Sequence, residues 1–204
     1  MSFLNAYSLK KNLFEIAGQK VILRPPQYSD WRTWADERKK NELYLQPWEP
    51  LWSINELERS SFVKRVRMFE RLSHNDQAYS FLIFKSDNED FIGEVNISNV
   101  QRGIIQSCAI GYWIAKDCEG KGMMSESLEL VKKFIFNELK LHRIEAACLP
   151  HNKPSLKVLL KNGFIKEGTA RKLLKINDKW QDHTVLSFIA VSYTHLTLPT
   201  NREV

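Results

Sequence analysis

The spacing of apolar and polar residues predicts a chain of short strands and amphipathic helices. Alternating or continuous apolar stretches bounded by turn residues predict seven strands, at residues 20–24, 77–85, 91–100, 106–115, 142–149, 164–176 and 180–190. Helical spacing and capping residues predict four helices, from Ser29 or Asp30 to Leu45, from Ser53 to Leu72, from Gly122 to Leu139, and from Asn152 to Asn162.

The order of these elements predicts a single α/β domain. Residues 77–115 hold three strands joined by short turns, which is typical of an antiparallel meander. The strand at 142–149 follows a helix, so it should lie parallel to strand 106–115 after a right-handed crossover. We find no internal repeat and no linker. The expected fold is a mixed, mostly antiparallel sheet with one parallel pair and about four helices.

Individual residues sharpen the helix predictions. The first helix should bury one stripe, formed by Trp31, Trp34, Ala35 and Leu43. Two prolines in 45–50 predict a stiff loop rather than a helix. Ser53 and Glu56 have the spacing of a capping box, which places the start of the second helix at Ser53. The third helix should bury Met124, Leu128, Val131, Ile135 and Leu139.

Composition adds limits on compartment and partners. The 204 residues carry a formal charge of +6, and the whole excess lies in residues 101–204, because residues 1–100 hold 14 basic and 14 acidic residues. A basic half fits a polyanionic ligand or RNA, although a solvated basic surface would have the same composition. No apolar run has the length of a membrane span, and no signal peptide is evident. The three cysteines share no metal-ligand spacing, so we expect free thiols, no metal site and a cytoplasmic protein.

The most informative stretch is residues 110–128, where a strand passes through a short glycine loop into a helix. Unpaired N–H groups at a helix start, together with the helix dipole, bind phosphate, and Gly120 and Gly122 allow close backbone approach. A dinucleotide site would need a glycine-rich turn at the first strand. A P-loop would need Lys and Ser or Thr after the second glycine, where Met123 and Met124 stand.

The order of the predicted elements resembles that of the GCN-related N-acetyltransferase superfamily: a meander, a phosphate loop, a parallel strand and a second helix. Within it, the chain is most similar to the Rim-type ribosomal-protein alanine N-acetyltransferases over about residues 15 to 190. The segments that carry this likeness are Leu45-Gln-Pro-Trp-Glu-Pro50, Ile92-Gly-Glu-Val-Asn-Ile-Ser-Asn-Val-Gln-Arg-Gly103, Gly111-Tyr112, Gly120-Lys-Gly-Met-Met124, His142-Arg-Ile144, Pro150-His-Asn-Lys153, Asn162-Gly-Phe164, Glu167-Gly168 and Trp180-Gln-Asp-His183.

The resemblance implies an acetyltransferase fold whose parallel pair is splayed, with acetyl-coenzyme A as the acetyl donor. Backbone groups of Trp113 and Ile114 should then meet the pantetheine arm as an added strand would. The side chains of Tyr112 and Trp113 could equally belong to the core. The expected pyrophosphate donors are the N–H groups of Glu119, Gly120, Lys121, Gly122, Met123 and Met124. Asp117 departs from the family, which has Gln or Arg at that position.

The resemblance also suggests catalytic residues. Asn152 and Ser155 open the last helix with the family's spacing, and both should address the cofactor, although Asn152 could also cap the helix. The tyrosine that often serves as general acid is replaced by Leu159, which makes Ser155 the candidate acid. Glu94 and Glu49 are equal candidates for the base, and a role for either in structure alone stays open. His151 is expected to be structural.

The functional hypothesis is acetylation of the N-terminal alanine of a small-subunit ribosomal protein, with a possible contact to the ribosome. A small-molecule amine acetyltransferase and a non-enzymatic module that binds coenzyme A or RNA are the alternatives. The acceptor groove is expected around Pro47, Trp48, Pro50 and the final hairpin. Residues 1–18 form an N-terminal segment and 19–190 the domain. Residues 191–204 resemble a tail translated from a sequencing adapter and are expected to be non-native.

Overall fold

A computed structural model describes residues 15–190. Its eight strands, in chain order, are β1 (Ile16–Ala17), β2 (Val21–Arg24), β3 (Tyr79–Lys85), β4 (Phe91–Gln101), β5 (Ser107–Ile114), β6 (Arg143–Cys148), β7 (Ile165–Ile176) and β8 (Lys179–Ile189). Five helices accompany them: α1 (Trp31–Lys40), α2 (Glu42–Leu45), α3 (Arg59–His74), α4 (Met123–Lys133) and α5 (Lys153–Lys161). A π-helical turn, Phe134–Glu138, extends α4.

The strands form one sheet in the order β1-β2-β3-β4-β5-β6-β8-β7. The β5–β6 pair is parallel and the others are antiparallel. The predicted mixed α/β fold, including the meander and the parallel pair, is therefore confirmed. The sequence pattern missed β1, because a two-residue strand is too short to show an alternation.

Helices cover both faces of the sheet. On one face, α1 and α3 pack on Leu82, Phe84, Phe91 and Trp113, and Trp34 of α1 lies 5.0 Å from Phe62 of α3 between ring centroids. On the other face, α4 and α5 pack on Phe81, Ile83, Val95 and Ile97. The stripe predicted for the third helix, from Met124 to Leu139, is buried throughout. The candidate site lies at the β5–β6 pair, between the helices of the two faces.

Four local predictions for residues 29–58 differ from the structure. The first helix breaks at Asn41, whose side-chain Nδ2 donates to the Glu37 carbonyl and whose Oδ1 accepts from the Lys116 backbone. Leu43 is consequently 85% exposed instead of buried. Residues 46–48 form a 3₁₀ turn within the expected loop, because proline is tolerated in a first helical turn.

The second helix begins at Arg59 rather than Ser53. Ser53 Oγ donates to a Glu56 carboxylate oxygen, 3.0 Å away, and the Glu56 N–H donates to the Ser53 carbonyl, also at 3.0 Å. The two side chains therefore satisfy each other in a turn. Glu58 is extended (φ −68°, ψ 148°), so the helix begins only after it.

Other expectations fall partly or wholly outside the described residues. The expected non-native tail, 191–204, lies outside them, as do residues 1–14 of the N-terminal segment. Within residues 15–190, no helix is long and apolar enough to cross a membrane. In the same range, no three His, Cys, Asp or Glu side chains are grouped as a metal site would need.

Candidate active site

A gap opens between β5 and β6 at the centre of the molecule. The two strands are paired from Ser107 with Arg143 to Ile110 with Ala146, and β5 then continues to Ile114 without β6 as its neighbour. Along this stretch the Trp113 carbonyl points toward β4, where it would collide with a Cβ at Gly93, and the Ala115 N–H donates to the Ile92 carbonyl of β4. The backbone groups of Ile114 therefore face the gap, and those of Trp113, which were also expected there, face β4. The Trp113 side chain itself belongs to the core: it is 8% exposed and packs edge-on against Phe91 at 5.6 Å.

The loop that follows β5 presents backbone N–H groups at the start of α4. Gly120 (φ +74°) and Gly122 (φ +83°) both adopt the left-handed conformation, which favours glycine. A Cβ at Gly120 would meet no atom within 4 Å, so the space beside this backbone is open. The first intrahelical bond runs from Glu126 N–H to the Gly122 carbonyl, 3.1 Å, which leaves the preceding N–H groups, including those of Met123 and Met124, without an intrahelical acceptor.

One expected donor of this loop is already engaged, and a second carries a further contact. The Glu119 N–H already donates to the Lys116 carbonyl, 3.1 Å away, within a 3₁₀ turn. Lys121 contributes its carbonyl as well, which accepts from Lys20 Nζ at 3.2 Å. Lys20 is held there because Glu126, in the first turn of α4, accepts from its backbone N–H. An ammonium group therefore lies at the same helix start as the free amides, and the local field is positive.

The junction of α1 and α2 is attached to this loop by three contacts. Asn41 Oδ1 accepts from Lys116 N–H at 2.9 Å, Lys40 Nζ lies 2.7 Å from Asp117 Oδ2, and the Tyr44 hydroxyl donates to Glu119 at 3.3 Å. Partial burial, and then the Glu119 charge, raise the pKa of Tyr44 to about 12. The hydrogen bond from Lys40 lowers the pKa of Asp117, so the acid that departs from the family pattern is ionised and paired.

The inner end of the gap holds Ser155, Asn152 and Tyr112. Asn152 caps α5, since its Oδ1 accepts from the Ser155 N–H at 3.1 Å. The Tyr112 hydroxyl lies 3.0 Å from Ser155 Oγ and 3.3 Å from the Ser155 carbonyl. Burial raises the pKa of Tyr112. Burial also raises the pKa of the Cys148 thiol at the end of β6, and a hydrogen bond with Ser155 partly opposes that shift.

Glu94 lies on the α1/α3 face of β4 and is 2% exposed. Its carboxylate accepts from Arg65 of α3, from Ser80 Oγ at 2.8 Å and from Trp113 Nε1 at 3.4 Å. Burial alone would raise the pKa of Glu94, but the charge and hydrogen bond of Arg65 outweigh it and hold that pKa below its ordinary value. Glu94 is therefore an ionised, fully engaged group.

Glu49 lies in the loop between α2 and α3 and is also engaged. Arg38 binds its two oxygens at 2.7 and 2.6 Å, and Trp52 Nε1 donates to it at 2.8 Å. The Glu49 carbonyl accepts from the N–H of Asn177, at the tip of the β7–β8 hairpin, at 2.9 Å. Trp48 lies 5.4 Å from His151 between ring centroids. The loop 46–50 thus contacts both the final hairpin and the turn before α5.

Three residues that pair with candidate site residues were not singled out from the sequence. Arg38 and Arg65 neutralise the two candidate bases, and Lys40 pairs with Asp117. Arg38 follows Trp34 by one helical turn, so the apolar stripe already placed it on the buried side. Nothing in the sequence identifies Arg65 as the partner of Glu94, because their contact joins positions 29 residues apart.

The sheet, the splayed parallel pair and the glycine loop at the start of α4 define an acyltransferase. The family model "Acetyltransferase (GNAT) domain" matches residues 20–165, and the chain belongs to this family. The fold and activity expected from the resemblance are confirmed at this level.

Curated relatives and a solved structure agree with this assignment. The chain is 35% identical to "[Ribosomal protein uS5]-alanine N-acetyltransferase" of Escherichia coli (strain K12), over 80% of this chain and 84% of that protein. It is also 35% identical to "Probable N-acetyltransferase YjcK" of Bacillus subtilis (strain 168), over 85% and 96%. A structure of Mycobacterium smegmatis RimJ in complex with CoA-disulfide matches with a TM-score of 0.80 and 30% identity, over 84% of this chain and 83% of that one.

Acetyl-coenzyme A is accordingly the acetyl donor of this family, and the site fits it. The open backbone at Gly120, the unpaired amides that begin α4 and the nearby Lys20 ammonium suit a diphosphate. The free edge of β5 suits the amide-containing pantetheine arm. When bound, the thioester supplies an activated acetyl group for transfer to an amine.

Proposed function

We propose that this protein acetylates the α-amine at the N-terminus of a ribosomal protein that begins with alanine, in the cytoplasm. The observation that carries the proposal is the contact of the loop 46–50 with the β7–β8 hairpin tip and with the turn before α5, the helix that carries Ser155. We infer that these three segments border an acceptor opening that a chain terminus can enter. The E. coli relative named for uS5 and alanine supports the choice of acceptor.

The charges at the opening favour a peptide over a polyamine. A polycation would require unpaired carboxylates, whereas Glu49 and Glu94 are each bound by an arginine. An α-amine, with a pKa of about 8, is already partly neutral at pH 7 and needs only one proton acceptor. The basic charge of residues 101–204 is compatible with approach to a ribosome.

The proposed mechanism is direct attack of the amine on the thioester. The amides of Gly120, Lys121, Gly122, Met123 and Met124 would hold the pyrophosphate, with Glu119 shaping the turn. The backbone of Ile114, next to Trp113, would meet the pantetheine arm. Asn152 positions Ser155. The Ser155 hydroxyl donates a hydrogen bond to the sulfur as negative charge develops on it.

Glu49 is the better candidate to accept the amine proton. Its side chain is 20% exposed at the mouth of the opening, so a water molecule can join it to solvent. Glu94 is bound by three donors and almost closed to solvent, which makes proton exchange slow. Glu94 then orients Trp113 and the wall of the acceptor site through its hydrogen bonds.

A peptide panel tests the assignment. Peptides that begin with Ala, Ser or Met, an N-terminally blocked peptide with an internal lysine, and a polyamine are incubated with acetyl-coenzyme A and analysed by mass spectrometry. We expect one acetyl group on the Ala peptide, at its α-amine, and none on the blocked peptide. Preferential acetylation of the polyamine would instead identify a small-molecule acetyltransferase.

A further inference from the structure

Tyr112 and Ser155 join the two sides of the gap between β5 and β6. Tyr112 follows the last paired residue of β5 by two positions, and Ser155 lies in the first turn of α5, which follows β6. Their hydroxyl oxygens are 3.0 Å apart, well within hydrogen-bonding distance. The contact lies where the strands begin to separate, which is the inner end of the channel assigned to the pantetheine arm.

The hydroxyl of Ser155 has one proton and two titratable neighbours that compete for it or for its oxygen. They are the Tyr112 hydroxyl and the Cys148 thiol, and the Ser155 N–H is taken by Asn152. If Ser155 donated to Tyr112 or to Cys148, it would have no proton to offer the sulfur of the donor. A Ser155 hydroxyl whose proton points away from the sulfur has to rotate before it can donate a hydrogen bond to that sulfur.

We propose that Tyr112 is a positioning residue that donates a hydrogen bond from its hydroxyl to Ser155 Oγ and thereby directs the Ser155 proton toward the departing sulfur. The inference rests on the proposed role of Ser155 and adds the group that orients it. The Tyr112 hydroxyl reaches the gap from β5, opposite Ser155 on α5.

The step conserves atoms and charge as follows. The amine nitrogen forms a bond to the acetyl carbon, the carbon–sulfur bond breaks, and its electron pair goes to sulfur. The amine proton passes to Glu49 and solvent, and the thiolate, hydrogen-bonded to Ser155, takes a proton from solvent. Tyr112 keeps its own proton throughout, in agreement with the burial that raises its pKa. No oxidant or further reactant is needed.

A double-mutant cycle on the full chain tests the proposal, with the amine that the wild type acetylates best as acceptor. The variants are Tyr112→Phe, Ser155→Ala and both together. The matched control is Tyr79→Phe, which also removes a strand tyrosine hydroxyl, one that donates to Asp76 at 2.8 Å. We expect Ser155→Ala to lower kcat by about 100-fold and Tyr112→Phe by about tenfold, with KM for acetyl-coenzyme A unchanged. Tyr79→Phe should leave kcat unchanged.

The decisive result is the double variant. If Tyr112 acts through Ser155, the double variant has the kcat of Ser155→Ala alone. Multiplied losses, or an unchanged kcat in Tyr112→Phe, would overturn the inference while leaving Ser155 in place. An unchanged kcat in Ser155→Ala would instead remove the proposed mechanism.

A second measurement covers the case in which Tyr112→Phe does not fold. Fluorinated tyrosine, incorporated throughout, keeps the ring and makes the phenol a stronger donor. We expect kcat to change in the wild type and not in Ser155→Ala. Equal behaviour of the two proteins would contradict the role of Tyr112.

Discussion

Arg38 and Glu49 form a two-point ion pair, with nitrogen–oxygen distances of 2.7 and 2.6 Å. The guanidinium carbon lies 4.2 Å from the ring centroid of Trp52 and 5.0 Å from that of Trp113. Arg38 therefore connects the loop that borders the acceptor opening to the β5 strand that borders the cofactor gap. Its planar, two-point geometry cannot be reproduced by lysine.

Arg38→Lys should raise KM for the acceptor peptide by about tenfold, because the Glu49 loop loses a two-point hydrogen bond. KM for acetyl-coenzyme A should not change. Arg32→Lys is the matched control, since Arg32 lies on the same helix and its guanidinium lies over the ring of Trp31, at 5.6 Å. Steady-state kinetics in both substrates measure the effect. A rise in KM for acetyl-coenzyme A would show that the pair serves the cofactor instead.

Gly120→Glu should weaken coenzyme A binding by at least about 100-fold, since it places a carboxylate beside the diphosphate. The control is Gly103→Glu in the β4–β5 turn. Both glycines have positive φ, +74° and +69°, and open space where a Cβ would lie. Each variant should lose about 1–2 kcal/mol of stability from the left-handed backbone. Calorimetry with coenzyme A separates them, and equal loss of affinity would contradict our placement of the loop.

Asp117→Asn should increase coenzyme A affinity by about two- to threefold at low salt, because it removes an ionised group next to the diphosphate loop. Asp178→Asn serves as the control, as Asp178 is an equally exposed acid paired with Lys175 in the β7–β8 turn. Calorimetry at two ionic strengths should show the gain for Asp117→Asn shrinking as salt rises. A loss of affinity would mean that Asp117 itself helps to bind the cofactor.

Glu94→Gln should cost about 3 kcal/mol of stability at pH 7, because it leaves Arg65 without its carboxylate partner. The pKa of Glu94 is lowered in the folded state, so its contribution is present above the ordinary glutamate pKa of about 4.3 and is lost as pH falls through the folded-state value. The difference between wild type and variant should therefore diminish in acid.

Urea unfolding at a series of pH values measures this effect. The control is Glu42→Gln, which removes one side of the surface pair with Lys39 and should change stability by less than about 1 kcal/mol. A constant difference between wild type and Glu94→Gln down to pH 3 would show that folding does not lower the pKa of Glu94.

The sequence predicted the sheet and the cofactor loop well, because both depend on local patterns. Apolar alternation identifies a strand, and Gly120 and Gly122 mark backbone that other residues rarely adopt. Contacts between distant side chains were not predictable. The Ser53–Glu56 spacing suggested a helix start, yet the two side chains bind each other and the helix begins at Arg59.

The break at Asn41 illustrates the same limit. Residues 31–45 have the composition of one helix. The helix is nevertheless divided at Asn41, which contacts Lys116 in a loop 75 positions later. The arginine partners of Glu49 and Glu94 are equally invisible in the sequence. As a result, both acids could be proposed as bases while their engagement in ion pairs was unforeseen.

The contacts of Lys40, Asn41 and Tyr44 with the loop after β5 also indicate which segment of the chain could be exchanged for that of a relative. Residues 40–44 are attached to the loop after β5, and α3 is attached to the sheet through the contact of Arg65 with Glu94. The segment from 45 to 58 lies between these two anchors. We expect a chimaera that carries a relative's residues at 45–58 and at position 38 to take the acceptor preference of that relative. It should keep its own acetyl-donor site.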